Sequence, residues 1–174
     1  MITTDDIIYR LSGGASNTNP NASLGGAMST VSGGIIPKTK TLNSLFDDIG
    51  SAEAIAGDTE FRCIYVQNIN EALTLLSARI WIYQNTPSTG TTMQLGAALQ
   101  GVDGEASTIA DESTAPSPAV TFAETCVGYS TGIYISDLVV NGFHGIWLKR
   151  IATAGVVVIS DDNFILKVQG ITDT

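Results

Sequence analysis

Charge is scarce in this chain, imidazole and thiol are scarcer, and each shortage removes a class of function. Only 14% of the 174 residues are charged, well below the ~25% usual for soluble domains. A surface so poor in charge is covered by Ser, Thr, Asn, Gln and Gly, which suits a chain that packs against many copies of itself or a large partner. Acids outnumber bases 17 to 8, for a formal net charge of −9. Lys38/Lys40 and Lys149/Arg150 are the close basic pairs. They make no stripe that would neutralise phosphates, so nucleic acid is not the expected partner. No run reaches the roughly 18–20 apolar residues of a membrane span. The opening Met-Ile-Thr-Thr-Asp-Asp has acids where a secretory signal has bases. The expected setting is a reducing cytoplasm, with no membrane partner. Cys63 and Cys126 lack CxxC spacing. Cys63 sits in an apolar strand pattern and reads as a small core residue, with a Cys63–Cys126 disulfide left open as an alternative.

What is present points to strands. A chain of 174 residues fits one domain with appendages, buries roughly 68–70% of its unfolded surface, and needs neither metal nor disulfide to fold. Residues 1–56 read as an extended, mostly irregular arm. Thr4 is placed to cap a short helical turn through Leu11 that Gly13 ends. Residues 12–34 are nearly all Gly, Ser, Asn, Ala and Thr, with Gly pairs at Gly13/Gly14, Gly25/Gly26 and Gly33/Gly34, which break helical and strand periodicity alike. Such a segment is either disordered or ordered by an external surface, a partner large enough to offset ~1–2 kcal/mol per fixed residue. Leu42, Leu45, Phe46 and Ile49 follow at near-helical spacing and predict a turn of helix that lids the next domain.

The body spans 57–174. Phe61–Asn68 is rich in β-branched and aromatic residues and predicts a strand. In Leu73–Gln84, Leu76, Ala78, Ile80 and Ile82 alternate with Ser77, Arg79, Trp81 and Tyr83, which predicts a half-buried strand. Thr91–Leu99 alternates with Met93, Leu95, Ala97 and Leu99 inward. After a long loop over 100–118, further short strands are predicted at Val120–Phe122, Ile133–Ile135, Leu138–Val140, Gly145–Thr153, Val156–Ile159 and Asn163–Gly170. Asn141-Gly142 favours a tight hairpin between the third and fourth of these. With no long 3.6-period segment and no fixed repeat, the fold class is all-β: an antiparallel β-sandwich, Ig-like or jelly-roll-like.

The search for chemistry finds little. His144 is the single histidine, so any nucleophile–histidine–acid arrangement would have to use it, and no GxSxG surrounds a serine. One histidine and two cysteines do not supply a zinc site, and no phosphate-cradling Gly-rich loop with its Lys occurs. Acids group at Asp47/Asp48, Asp103/Glu105, Asp111/Glu112 and Asp161/Asp162. Asp103, Glu105 and Asp111 have oxygens to offer calcium, but without a D-x-D-x-D-G loop they read as solvated turn acids. No enzyme activity, cofactor or metal is expected. Trp81, Tyr83 and Trp147 fall on outward positions and suit an interface, unless the opposite sheet covers them.

Certain segments resemble small virion structural proteins of tailed bacteriophages: Ser12–Gly26, Leu45–Asp48 with Gly57–Asn68, Ile146–Arg150 and Phe164–Gly170. The resemblance is one of texture and short motifs over most of the chain. It implies a virion component made in the host cytoplasm, either a capsid decoration (cement) protein or a tail, neck or fibre-associated module that binds a host receptor or glycan. The chain lacks the coiled coil or β-helix of a fibre shaft, and its arm suits lying across a neighbouring surface. A decoration protein is therefore expected, a trimer or dimer whose partners are the major capsid protein or another virion protein and its own copies. The residues expected to make contact are Asn17, Asn19, Leu24, Met28, Ile35, Ile36, Leu45 and Phe46 of the arm, with Trp81, Tyr83 and Trp147. On this expectation, removing residues 1–34 leaves a folded domain that no longer binds particles.

Overall fold

Side chains alternate along a strand, and in β3 (Asp58–Asn68) both sets are apolar. Ile64 and Val66 enter one buried cluster, while Phe61, Cys63 and Tyr65 enter another on the opposite face. β7 (Phe143–Ala152) pairs antiparallel with β3 from Asp58↔Ala152 to Gln67↔Phe143. It divides in the same way, with Ile146 and Leu148 on one side and Trp147 on the other. The computed structural model describes residues 1–123, 128–155 and 162–172.

Around this pair a five-stranded sheet is built from β1 (Ile7–Leu11), β2 (Ile35–Ile36) and β5 (Thr91–Val102), in the order β2-β1-β3-β7-β5. β6 (Ile133–Tyr134), β4 (Leu75–Gln84) and β8 (Ile165–Thr172) form a second sheet in the order β6-β4-β8. All pairings are antiparallel. The two sheets enclose Ile64, Val66, Ala78, Ile80, Ile82, Met93, Leu95, Ile146 and Leu148, with Leu166 and Val168 packed against them. The fold is an all-β sandwich, as the strand pattern implies.

The N-terminal segment departs from expectation. Thr4–Asp6 make a single 3-10 turn, and Ile7–Leu11 continue as β1, paired with β3 from Ile7↔Asn68 to Leu11↔Ile64. Sheet pairing and burial of Ile7 and Leu11 override the local helical signal. The Gly/Ser/Asn stretch is ordered by the chain's own sheet. Cys63 N–H donates to Ser23 O (2.8 Å), Gly26 N–H to Ala106 O (2.9 Å), Ile109 N–H to Leu24 O (2.9 Å) and Ser29 N–H to Leu11 O (2.9 Å). The Tyr65 hydroxyl donates to Gly26 O (2.5 Å) and accepts from Ala106 N–H (2.8 Å). Gly25 makes this close approach feasible: its φ is +90°, and a Cβ there would stand 1.9 Å from Ser107 O. The first 56 residues thus supply two strands of the sheet and a cover for its second apolar cluster.

Five smaller corrections follow from local geometry. Leu42–Ile49 is turns and bends rather than helix, although Leu45 and Phe46 do reach the inter-sheet core while Leu42 is exposed. The α-helix of the described residues comes just after, α1 (Ser51–Ala56), capped by Gly50 N–H on Glu53 Oε2 at 2.5 Å. In β4 a register shift at Ser77 (φ +50°) puts Leu75, not Leu76, in the core. In β5, Ala98 is buried in the second apolar cluster, on the face opposite Leu95, and Leu99 is exposed. Val120–Phe122 form no strand, only an isolated bridge at Ala123 to Leu95. The Asn141-Gly142 turn does form, with Gly142 N–H on Val139 O at 2.8 Å, but Leu138 bridges to Leu75 in the other sheet. The segment therefore links the sheets instead of closing a hairpin. The strand expected at Val156–Ile159 lies outside the described residues.

Candidate interaction surfaces

One end of the inter-sheet core is closed by charge. Glu60 and Arg62 share the face of Ile64 and Val66, and Glu60 stands opposite Arg150 across the β3–β7 ladder. Arg62, fully buried, pairs with Glu112, and Arg150 pairs with Glu60. Arg150 Nη2 is also 3.6 Å from Asp47 Oδ1, and Arg150 Nη1 donates to Asp47 O at 2.6 Å. The Phe46 ring stacks beneath both guanidiniums, 4.8 Å from that of Arg150 and 5.6 Å from that of Arg62. Burial raises the Glu60 carboxyl pKa, and the Arg150 hydrogen bond and charge offset part of that rise. Asp47, Glu60 and Glu112 hold carboxylate oxygens within 4.8 Å of one another. Two guanidiniums lie among them, so the group is an ion-pair network rather than a ligand set for a cation. Asp47 and Glu112, with 45% and 38% of their side chains exposed, are also held in ion pairs with the two guanidiniums.

The other acidic loops behave as turn caps. Asp103 Oδ1 accepts from Phe143 N–H at 2.9 Å, and Asp111 Oδ1 accepts from Ser113 N–H at 3.1 Å and the Thr114 hydroxyl at 2.8 Å. Asp103, Glu105 and Asp111 do not converge into a ligand-like group. Asp162 takes the Thr91 hydroxyl, and its neighbour Asp161 lies outside the described residues. His144 is buried, with Nδ1 2.9 Å from Gly145 O, and desolvation lowers its pKa. β7 lies between β3 and β5, which covers His144 near its start. Cys63 is a fully buried free thiol whose pKa burial raises to about 12. Cys126, and with it the disulfide alternative, lies outside the described residues.

A cleft of about 1080 Å³ runs between β8 and the β1–β2 side of the large sheet, beneath residues 37–49. Ile7, Tyr9, Ile36, Phe164, Leu166 and Val168 line it, and burial raises the Tyr9 hydroxyl pKa.

The structure separates the residues singled out as contact candidates. Asn17 and Asn19 serve the arm itself: Asn17 Nδ2 donates to Ser12 O at 2.5 Å, and Asn19 caps the turn Pro20–Ala22 through Asn21 N–H at 3.1 Å. Leu24 and Met28 pack on the second apolar cluster, Ile36 on the first, and Leu45 and Phe46 are buried within the first. Trp147 is wholly buried under the arm, and Trp81, though on the outer face of β4, is 5% exposed beneath Gly132. Ile35 and Tyr83 remain exposed. Around Tyr83 the outer face of the three-stranded sheet carries residues that alternation alone does not distinguish from ordinary surface: Tyr134, Ile165, Lys167 and Ile171, all exposed. Lys167 Nζ lies 3.3 Å over the Tyr83 ring. The Arg79 guanidinium lies 5.8 Å and 5.7 Å from the ring centres of Tyr129 and Tyr134 and donates to Gly132 O at 2.7 Å. No helix among the described residues is long and apolar enough to cross a membrane. No family model matches the chain, and neither a curated protein nor a solved structure matches it.

Proposed function

We propose that this chain is a non-catalytic structural component of a tailed-phage particle, seated as a decoration protein on the outer capsid shell and against neighbouring copies. The observation that carries the reading is the bare outer face of the three-stranded sheet. There Tyr83, Tyr134, Ile165 and Ile171 are between 41% and 61% exposed. Grouped exposed apolar side chains mark interaction surfaces, and tyrosine is among the residues that anchor them. The low charge of the chain, 14%, supports the same reading, since a neutral polar surface is easily desolvated against a partner. The resemblance of Ser12–Gly26 and Gly57–Asn68 to virion proteins supports the setting. In this reading the contact lies on the sheet and not on the arm, whose Leu24 and Met28 face inward. The partners are neighbouring copies of the chain and the major capsid protein or another virion protein.

Labelling the chain on intact particles and imaging them tests the proposal. Label over the whole shell is the expected result. The exposed tyrosines also favour a second reading, a tail, neck or fibre-associated module that meets a host receptor or glycan, and tail-only label would establish that one. Particles without label contradict both.

A further inference from the structure

The two outer faces of the sandwich differ in charge as well as in cover. The strands of the small sheet, Leu75–Gln84, Ile133–Tyr134 and Ile165–Thr172, contain no Asp or Glu but include Arg79 and Lys167. On the opposite side of the molecule, the loop over the five-stranded sheet buries Ala106 and Ile109 and turns Asp103, Glu105 and Asp111 to solvent. Lys149 on that side is half-buried, with Nζ 5.8 Å over the Phe122 ring. A cation-bearing apolar face therefore stands at the front of a molecule whose net charge is −9 and whose back carries exposed carboxylates.

We propose that the chain associates with itself front to back, the outer face of the small sheet in one copy meeting the acidic 103–111 loop of the next. The occupant is argued from charge complementarity, which steers encounter and fixes the pairing of surfaces. A glycan fits this face less well. Sugars stack on open aromatic rings, whereas the Tyr83 ring holds Lys167 at 3.3 Å and the Tyr134 ring holds Arg79 at 5.7 Å. Those cations, fixed over the rings, point the face toward carboxylates. Because the two surfaces differ, the contact is heterologous: it closes into a ring if its rotation allows and stacks openly otherwise, and it cannot make a two-fold dimer. The inference deepens the proposed function, and rests on it only for the setting of the contact in a particle.

Sedimentation of the purified 174-residue chain tests it, with Lys167→Glu, Glu105→Lys and an equimolar mixture of the two variants. Wild type should associate with rising concentration, at least about tenfold more weakly at ~1 M than at ~0.1 M salt, as the screening length falls from ~10 Å to ~3 Å. Each variant should stay monomeric with an unchanged melting temperature. The mixture should associate again, because each contact in an alternating assembly then pairs opposite charges. A wild type that is monomeric throughout overturns the proposal, as does a Lys167→Glu variant that associates like wild type. A monomeric wild type that binds an acidic polysaccharide through Lys167 replaces the second copy with a glycan. Monomeric protein that still labels the shell overturns this inference alone, whereas self-association without particle labelling removes the proposed function alone.

Discussion

The five-stranded sheet is covered on its outer face and the three-stranded sheet is bare on its own, although both are built by the same alternation of side chains. The difference comes from which strands have an apolar second face. In β3 and β7 that face carries Phe61, Cys63, Tyr65 and Trp147, buried under Leu24, Met28, Ala106 and Ile109. In β4 and β8 it carries Arg79, Tyr83, Lys167 and Gln169, with Ile165 and Ile171 exposed beside them. An arm of small residues can approach the first face closely enough to hydrogen-bond to it. On the second, the turn at Tyr129–Gly132 covers Trp81, and Tyr83, Ile165, Lys167 and Ile171 stay exposed. Order in the arm is thus a consequence of the sheet beneath it.

Breaking the covered face should be far more damaging than altering the bare one. Deleting residues 1–34 removes β1 from between β2 and β3 and strips Leu24 and Met28 from the second cluster. The expected result is loss of the cooperative thermal transition followed by circular dichroism, contrary to what a detachable arm would give. Trp147→Ala empties a site with no solvent exposure and should lower stability by about 3–5 kcal/mol in a denaturant titration. Tyr83→Ala, on the bare face, should change it by no more than about 0.5 kcal/mol. Glu60→Ala leaves the buried side of Arg150 without its carboxylate, with an expected loss of about 3 kcal/mol by the same titration. Gly25→Ala forces a side chain into a positive-φ position against Ser107 O. It should cost about 1–2 kcal/mol or more and speed amide exchange at Gly26 and Ile109, where the arm joins the loop.

A further effect concerns pH. Burial holds the His144 pKa below its ordinary 6.5. As pH falls through 6.5 the unfolded chain takes up the proton before the folded one, so stability is lost on acidification until the folded pKa is reached. Glu60 has the opposite sign. Its raised pKa means that ionisation weakens the fold as pH rises from the ordinary 4.5 through the folded value. Stability of His144→Gln relative to wild type, measured from pH 7.5 downward, should therefore rise below about pH 6.5, by at most about 1.4 kcal/mol per pH unit. No change in that difference would contradict a buried neutral imidazole.

The strands were readable because β-branched and aromatic runs with period two leave few alternatives, and β3, β4, β5, β7 and β8 all lie where the pattern puts them. What local pattern missed was long-range. Ile7–Leu11 has helix-compatible spacing, and only its partner residues Ile64–Asn68 make it a strand. Ser77 changes the face of Leu76, because one irregular residue inverts alternation. Trp147 reads as an outward residue of β7, and nothing within the strand reveals that the arm returns to cover it. The ion network did leave a signal: Glu60 and Arg62 occupy core-facing positions in phase with Ile64 and Val66, where a charge needs a buried partner. The bare face left a weaker one, the absence of acids from β4 and β8 in an acidic chain.

Amide hydrogen exchange on the free protein and on the protein bound to particles tests the contrast most directly. The account predicts that Gly26, Ser29, Cys63 and Ile109, whose N–H groups join the arm to the sheet and loop, are already protected in the free protein. Binding should add protection mainly in β4 and β8 and in the 103–111 loop. Arm amides that exchange freely in solution and become protected only on the particle would contradict it.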